Sequence, residues 1–138
     1  MGDPDLTVDN VISADIRTWL LAEPRFPVLA VSSREGAPSQ SVMWFDLDPD
    51  EPDVILMNTM LRRLKYRQLV ADPRASVLFE DGLRWVAMRG SVELDSTYQR
   101  ALDHIQALAR RYGGNPANFE GQQRVIIKLH VESVIQHG

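Results

Sequence analysis

The sequence predicts an α+β protein organised on a predominantly antiparallel β-barrel, closed or nearly so, of about six strands with about three helices set between them. Three observations predict it. Short β-branched and apolar runs recur between turn signals, long segments near each end of the chain carry a helical period, and strand, turn and helix meet in a basic stretch at its middle. No internal repeat, low-complexity tract or linker interrupts the 138 residues, 44% of them apolar, so a single domain over residues 1–138 is expected.

Thr7 to Glu23 places Val8, Val11, Ile12, Ile16, Trp19 and Leu20 on one helical face, with Thr7 or Asp9 as caps and Pro24 beyond its end. Pro27 to Ser33 is β-branched and apolar, Glu35-Gly36 turns the chain, and Ser39 to Leu47 alternates as the hairpin partner. Asp48 to Asp53 is an acidic, proline-bearing loop, read as a solvated turn rather than a metal site. Val54 to Met57 is the third strand, Asn58-Thr59 a polar turn, and a helix of about three turns follows until Asp72-Pro73 stops it.

Ala75 to Phe79 reads as a strand, Glu80-Asp81-Gly82 as a turn, and Arg84 to Leu94 as a long strand in which Gly90 marks a bulge or a close approach. Ser96 to Tyr112 is a helix with Ser96 as cap and Tyr98, Ala101, Leu102, Ile105 and Leu108 on one face, ended by Gly113-Gly114. The last strand, Gln123 to Val134, puts Val125, Ile127, Leu129 and Val131 on one side and Arg124, Ile126, Lys128 and His130 on the other.

The basic stretch carries the chemistry. Arg62, Arg63, Lys65 and Arg67 fall in the first two turns of their helix, where unpaired N–H groups and the macrodipole favour anions over cations. At roughly 100° per residue Lys65 lies on the apolar stripe between Leu69 and the Leu61, Leu64, Ala71 set. Either its stem covers apolar surface while its ammonium reaches water, or its charge serves a ligand. With a strand, a polar turn and a helix start beside it, the second reading makes a cradle for phosphate or carboxylate.

Several function classes lose support. There are no cysteines, so disulfides and zinc-thiolate sites are excluded, and a cytoplasmic location is the natural expectation. No apolar run approaches the ~20 residues that span a bilayer, and no membrane partner is expected. A net charge of −4 argues against nucleic acid as a partner. His104, His130 and His137 show no metal or triad spacing and read as structural; nucleophile-elbow, phosphate-loop and dinucleotide motifs are absent. An enzyme of this kind would leave its difficult step to a bound cofactor.

From Arg63 and Lys65 through Leu69, Asp72-Pro73-Arg74-Ala75-Ser76 and Trp85-Val86-Ala87-Met88-Arg89-Gly90-Ser91-Val92-Glu93-Leu94, the chain resembles the pyridoxamine 5′-phosphate-oxidase-like flavoproteins. Within them it is similar to the deazaflavin (coenzyme F420)-dependent branch, which includes F420-dependent biliverdin reductases. Its short length and the segment Asp81-Gly82-Leu83-Arg84-Trp85 carry that likeness. The resemblance implies an FMN-binding split barrel and a homodimer with the cofactor site at the subunit interface. It also implies hydride transfer between the reduced deazaflavin and a small, conjugated, electron-poor molecule.

The resemblance further implies that Arg63 and Lys65 hold the cofactor phosphate beside Asn58 and Thr59, that Ser41, Val42 and Met43 flank the ring, and that Trp85 and Arg124 lie near the dimer interface. Gln68 after Lys65 is shared with FMN-dependent members, whereas the Arg-Lys dipeptide and C-terminal Trp and Arg of pyridoxamine phosphate oxidases proper are missing. FMN is the alternative cofactor. An FMN-dependent oxidoreductase, or a non-catalytic flavin or haem-type carrier, is the alternative function.

Overall fold

A computed structural model describes residues 11–138. Seven strands form one antiparallel sheet in the order β2-β1-β5-β6-β7-β4-β3. They are β1 (Val28–Val31), β2 (Ser39–Val42), β3 (Asp46–Leu47), β4 (Val54–Met60), β5 (Arg74–Glu80), β6 (Trp85–Asp95) and β7 (Arg124–His137). Three α-helices, α1 (Ala14–Leu21), α2 (Leu64–Ala71) and α3 (Tyr98–Tyr112), and a 3-10 turn at Pro116–Phe119 complete the α+β fold.

The two edges of this sheet, β2 and β3, are separated in sequence only by Met43, Trp44 and Phe45. Extended chain covers about 3.3–3.6 Å per residue, so Val42 and Asp46 stand no more than about 14 Å apart, and the sheet must curl until its edges nearly meet. The result is a split barrel. The expected single strand from Ser39 to Leu47 is thus two short strands, which raises the count from six to seven. The interruption has a cause in the side chains. Met43 and Phe45 are buried in the barrel, the Met43 N–H donates to the Pro27 carbonyl at 2.8 Å, and the Phe45 N–H donates to the Tyr112 hydroxyl at 3.2 Å.

Inside the barrel, Leu29, Ile55, Met57, Val77, Phe79, Val86, Met88, Ile127 and Leu129 form the main core, closed by Ile12, Ile16 and Leu20. The first helix is shorter than its apolar period suggests. It begins at Ala14, where the Ser13 hydroxyl accepts from the Ile16 N–H at 3.2 Å; Thr7, Val8 and Asp9 lie outside the described residues. Val11 and Ile12 precede the helix, and their N–H groups donate to the Asp53 carboxylate at 3.1 and 2.9 Å. In the acidic loop, the Asp48 carboxylate accepts from the Asp50 N–H at 2.8 Å, which makes the predicted turn.

Helix α3 packs outside the barrel on β4 and β7, where Ala101 meets Val54, Leu56 and Ile126. Strand β4 is therefore covered on both faces, which accounts for its unbroken apolar run and for its extension through Asn58 and Thr59. The helix starts at Tyr98 with Thr97, not Ser96, at the cap position, and Tyr98 itself is exposed. Long β6 and β7 pair along their whole length, with the register slipping between Arg89 and Gly90. On the outer face of β1, β5, β6 and β7, Val28, Leu78, Ala87 and Ile135 stand directly opposite one another in an apolar row that starts from Val42 on β2.

Candidate functional site

The junction of β4 and α2 differs from its expected form. Asn58 and Thr59 remain in β4, paired with Ile126 and Val125, and the chain turns at Leu61 to Arg63 instead. Arg62 takes a left-handed conformation with φ of 73°, and Arg63 is the N-cap of α2 without a side-chain bond to the helix start. Helix α2 is eight residues long, about two turns. Arg62 and Arg63 consequently precede it, and only Lys65 and Arg67 of the four cations are helical. Nor is the expected stripe buried: Leu69 is, while Leu64 is 55% exposed and Lys65 is half-buried.

This turn forms one wall of a cleft of about 210 Å³ lined by Arg63, Lys65, Asn58, Thr59, Val42, Met43 and Arg124, together with Trp44, Phe119, Ile105 and Leu108. An adjoining cleft of about 230 Å³ contains Ser41 and Gln68 and shares Arg63 and Lys65 with the first. Eight of the nine residues singled out in the sequence thus meet at one place. Trp85 does not. It stands on the outer face, its ring stacked on His137 with centroids 6.1 Å apart, beside Leu78 and Arg84.

Charge dominates the cleft. Among the described residues, none of Arg63, Lys65 and Arg124 has a carboxylate within ion-pair distance. Burial, and then the charges of Arg63 and Arg124, lower the Lys65 ammonium below its ordinary range. Burial, and then Arg63, bring Arg124 down to about 10. Arg124 is 8% exposed; its Nε donates to Asn58 Oδ1 at 2.9 Å, one terminal nitrogen donates to Gln122 Oε1 at 3.0 Å, and its guanidinium lies 5.4 Å from the centre of the Phe119 ring. These bonds satisfy part of the donor fork and leave the positive charge uncompensated.

Two further atoms lack partners. Thr59 Oγ1 in the cleft and Gln68 Oε1 beside it are buried with no hydrogen-bond partner among the described residues. An unmade bond on a buried polar atom costs roughly 1–3 kcal/mol, and a desolvated cation cluster adds to that cost. A bound anion relieves the cations and the Thr59 hydroxyl, from which its oxygens accept; Gln68 Oε1, itself an acceptor, needs a donor instead. A phosphate-bearing ring compound fits this donor set, with the apolar side chains of Val42 and Met43 and the indole of Trp44 offering the wall a ring requires.

Behind the cleft lies a polar chain that spacing did not reveal. Asn58 Nδ2 donates to the Ala101 carbonyl and to His104 Nδ1, each at 3.1 Å, and His104 Nε2 lies 3.1 Å from Asp46 Oδ1. Trp44, Phe119, Ile105 and Leu108 also carried no signal in the sequence beyond apolar patterning. Trp44 stacks on Tyr112 at 5.3 Å and meets Phe119 edge-on at 6.2 Å, so these aromatic residues brace one another around the cleft mouth. A larger hollow of about 560 Å³ lies on the outer face, but there Arg74 is paired with Asp72 and Arg89 with Ser133. Among the described residues no group of three or more acidic, histidine or cysteine side chains could hold a metal, and no helix is long and apolar enough to cross a membrane.

The family model for pyridoxamine 5′-phosphate oxidase matches residues 12–138. No curated protein matches the chain. Among solved structures, one described as an F420 reductase superposes with a TM-score of 0.72 at 26% identity, covering 86% of this chain and 94% of that one. A conserved hypothetical protein from Mycobacterium tuberculosis gives 0.74 at 23% identity, covering 93% and 86%. A putative pyridoxamine 5′-phosphate oxidase from Listeria innocua gives 0.63 at 15% identity, covering 81% and 87%.

Proposed function

The chain belongs to the pyridoxamine 5′-phosphate oxidase family, and from that premise we propose that it is an oxidoreductase whose Arg63, Lys65 and Arg124 cleft holds the phosphate of coenzyme F420. The observation that carries this reading is the meeting of three unpaired cations and an unpartnered Thr59 hydroxyl in one aromatic-walled cleft. Preference for the deazaflavin over FMN rests on the likeness to the F420 reductase. FMN remains the alternative, since family membership alone supports either.

Hydride chemistry toward a small, conjugated, electron-poor substrate would come from the bound cofactor. The chain's own part is to bind, orient and exclude water. Arg63, Lys65 and Arg124 would hold the anion, Thr59 would donate to it, and Val42, Met43 and Trp44 would keep water from the ring. Among the described residues no carboxylate or histidine lines the cleft, so the proton that balances the transfer would come from solvent. Orientation of donor and acceptor alone can lower a barrier by ~7–11 kcal/mol, enough for positioning to serve as the main catalytic contribution.

The working unit in this reading is a homodimer. A cleft of 210 Å³ falls below the roughly 300–1,000 Å³ of ordinary small-molecule sites. Among the described residues nothing covers the apolar row across β1, β5, β6 and β7, and it ends at Val42, which is also a cleft residue. A second copy seated on this row would bury Leu78, Trp85 and Ile135 and complete the cleft at Val42.

Parallel titration with FMN and with F420, followed by tryptophan fluorescence, tests the proposal because Trp44 lines the cleft. Saturable quenching at lower concentration of F420 is the expected result. Tighter binding of FMN would assign the chain to the alternative cofactor, and binding of neither would remove the oxidoreductase reading. A carrier would bind cofactor yet reduce no acceptor.

A further inference from the structure

Asn58 has no spare hydrogen-bonding capacity toward His104. Both hydrogens of its Nδ2 are used, one on the Ala101 carbonyl and one on His104 Nδ1, while its Oδ1 accepts from Arg124 Nε. His104 Nδ1 must therefore be an acceptor, and the ring is neutral with its proton on Nε2, donated to Asp46 Oδ1. The imidazole is well buried, its side chain 10% exposed. A proton on Nδ1 would face the N–H of Asn58. Turning the amide over would then set Oδ1 against the Ala101 carbonyl and Nδ2 against the Arg124 N–H.

Resting on the anion-cleft reading above, we propose that His104, as the neutral Nε2–H tautomer, is a positioning residue that fixes Arg124 in the cleft through Asn58. Anion binding and protonation of His104 then oppose each other. A purely electrostatic influence would have the other sign, since a bound anion attracts a cationic imidazole. That difference in sign makes the role measurable.

His104 contacts Asp46 on β3; on β7, which packs on its helix, Arg124 and Lys128 are charged, and Arg63 and Lys65 line the cleft beyond Asn58. On its own helix Arg100 is paired with Asp95 and Asp103 with Gln99. Arg124, although lowered, keeps its charge between pH 5.5 and 8 because that window lies well below about 10. Sulfate keeps its charge there too, so it is a suitable probe.

Sulfate affinity of the full chain, measured by calorimetry, should fall about tenfold from pH 8 to pH 5.5, the loss expected when one charge-assisted contact is disordered. His104→Gln, whose amide oxygen accepts from Asn58 and whose NH2 donates to Asp46, should bind with nearly the same affinity at both pH values. His104→Leu should bind weakly at both. Should these variants fold poorly, the wild-type imidazole is observed directly by nitrogen-15 NMR: an Nε2–H tautomer is expected, with a protonation midpoint that moves down when sulfate is added. An Nδ1–H tautomer, or a midpoint that moves up, overturns the proposal. Equal pH dependence in wild type and His104→Gln does so as well. Sulfate binding to none of the proteins at either pH would instead remove the anion cleft, and the positioning role with it.

Discussion

Gly90 faces the backbone of His130 so closely that a β-carbon added to it would lie 1.9 Å from the His130 carbonyl oxygen. Gly90 borders the slip in register, pairing with Val131 while Arg89 pairs with Ser133, and His130 pairs with the next residue, Ser91. Since the obstacle is backbone, it can move only by distorting the longest pairing in the barrel. Gly90→Ala is expected to cost about 3 kcal/mol, the upper part of the overpacking range. Denaturant unfolding checks it, with Gly36→Ala as control because a β-carbon there meets nothing within 4 Å. Equal stability of the two variants would contradict the close approach.

Lys65→Ala should weaken phosphate and cofactor binding roughly tenfold to a hundredfold, as loss of a charge-assisted contact of ~1.5–3 kcal/mol requires. Because its ammonium is held below its ordinary range by burial, Arg63 and Arg124, its removal should leave the ligand-free protein no less stable. Calorimetric titration and thermal unfolding separate the two effects. Unchanged affinity with a lower melting temperature would return Lys65 to a purely packing role.

The lowered Arg124 has a consequence for alkaline stability. Its folded value of about 10 lies below the ordinary guanidinium range, so the native state loses this proton more readily than the unfolded chain. Stability associated with Arg124 should therefore increase as pH rises through about 10 and be reduced below it. Chemical unfolding of wild type and Arg124→Gln at pH 8.5 and 10.5 tests this sign: wild type should gain relative to the variant. Bound phosphate, by compensating the charge, should shrink the gain.

Arg62 and Arg67 are exposed, with an Arg67 terminal nitrogen donating to the Arg62 carbonyl at 3.3 Å, and Arg67 borders a groove of about 700 Å³ that runs past Gln68 toward Arg34. The anionic tail of F420 would have use for this surface and FMN would not. Binding of F420 should accordingly weaken with salt more steeply than binding of FMN, since exposed charges are screened within ~10 Å at 0.1 M salt. Replacing Arg62 and Arg67 by Ala should bring the two slopes together. Slopes already equal in the wild type would dismiss the tail contact.

Leu78→Glu combined with Ile135→Glu places charge at the middle and at the β7 end of the apolar row without touching the barrel interior. Light scattering should then report the mass of one chain, where the proposed dimer predicts two for the wild type. Cofactor affinity should fall in the same variant. A monodisperse wild-type monomer at micromolar concentration would sink the shared cleft outright.

Where one face of an element met the core and the other met water, its period was legible: β5, β6, α3 and β7 start or end close to the positions their alternation or helical face implies. Patterning misled where a strand changed partners. From Ser39 to Leu47 the alternation continues, although β2 pairs with β1 and β3 with β4, because pairing with a distant strand leaves no local mark. Asn58-Thr59 looked like a turn by composition; instead α3 covers that face and supplies the Ala101 carbonyl and His104 as partners. Arg63 and Lys65 could be read from their unfavourable place near a helix start, whereas Arg124, on β7, was marked only by the family resemblance. Trp44, Phe119 and His104 could not, since each reaches the site from a different element and only tertiary packing assigns it there.

The tie from Met43 to Phe45 bears on how the sheet edges resist strand addition by other chains. A sheet with free edges offers templates for strand addition by other chains, and here the tie turns β2 and β3 toward a single gap where each shields the other. Met43 and Trp44 form both the tie and the cleft wall, so a ligand seated against them would also brace that gap. The cofactor is thus expected to act as a guard against aggregation as well as a reagent. On mild heating, turbidity should develop later in the loaded protein than in the ligand-free one, and an equal onset would show that the paired edges need no such help.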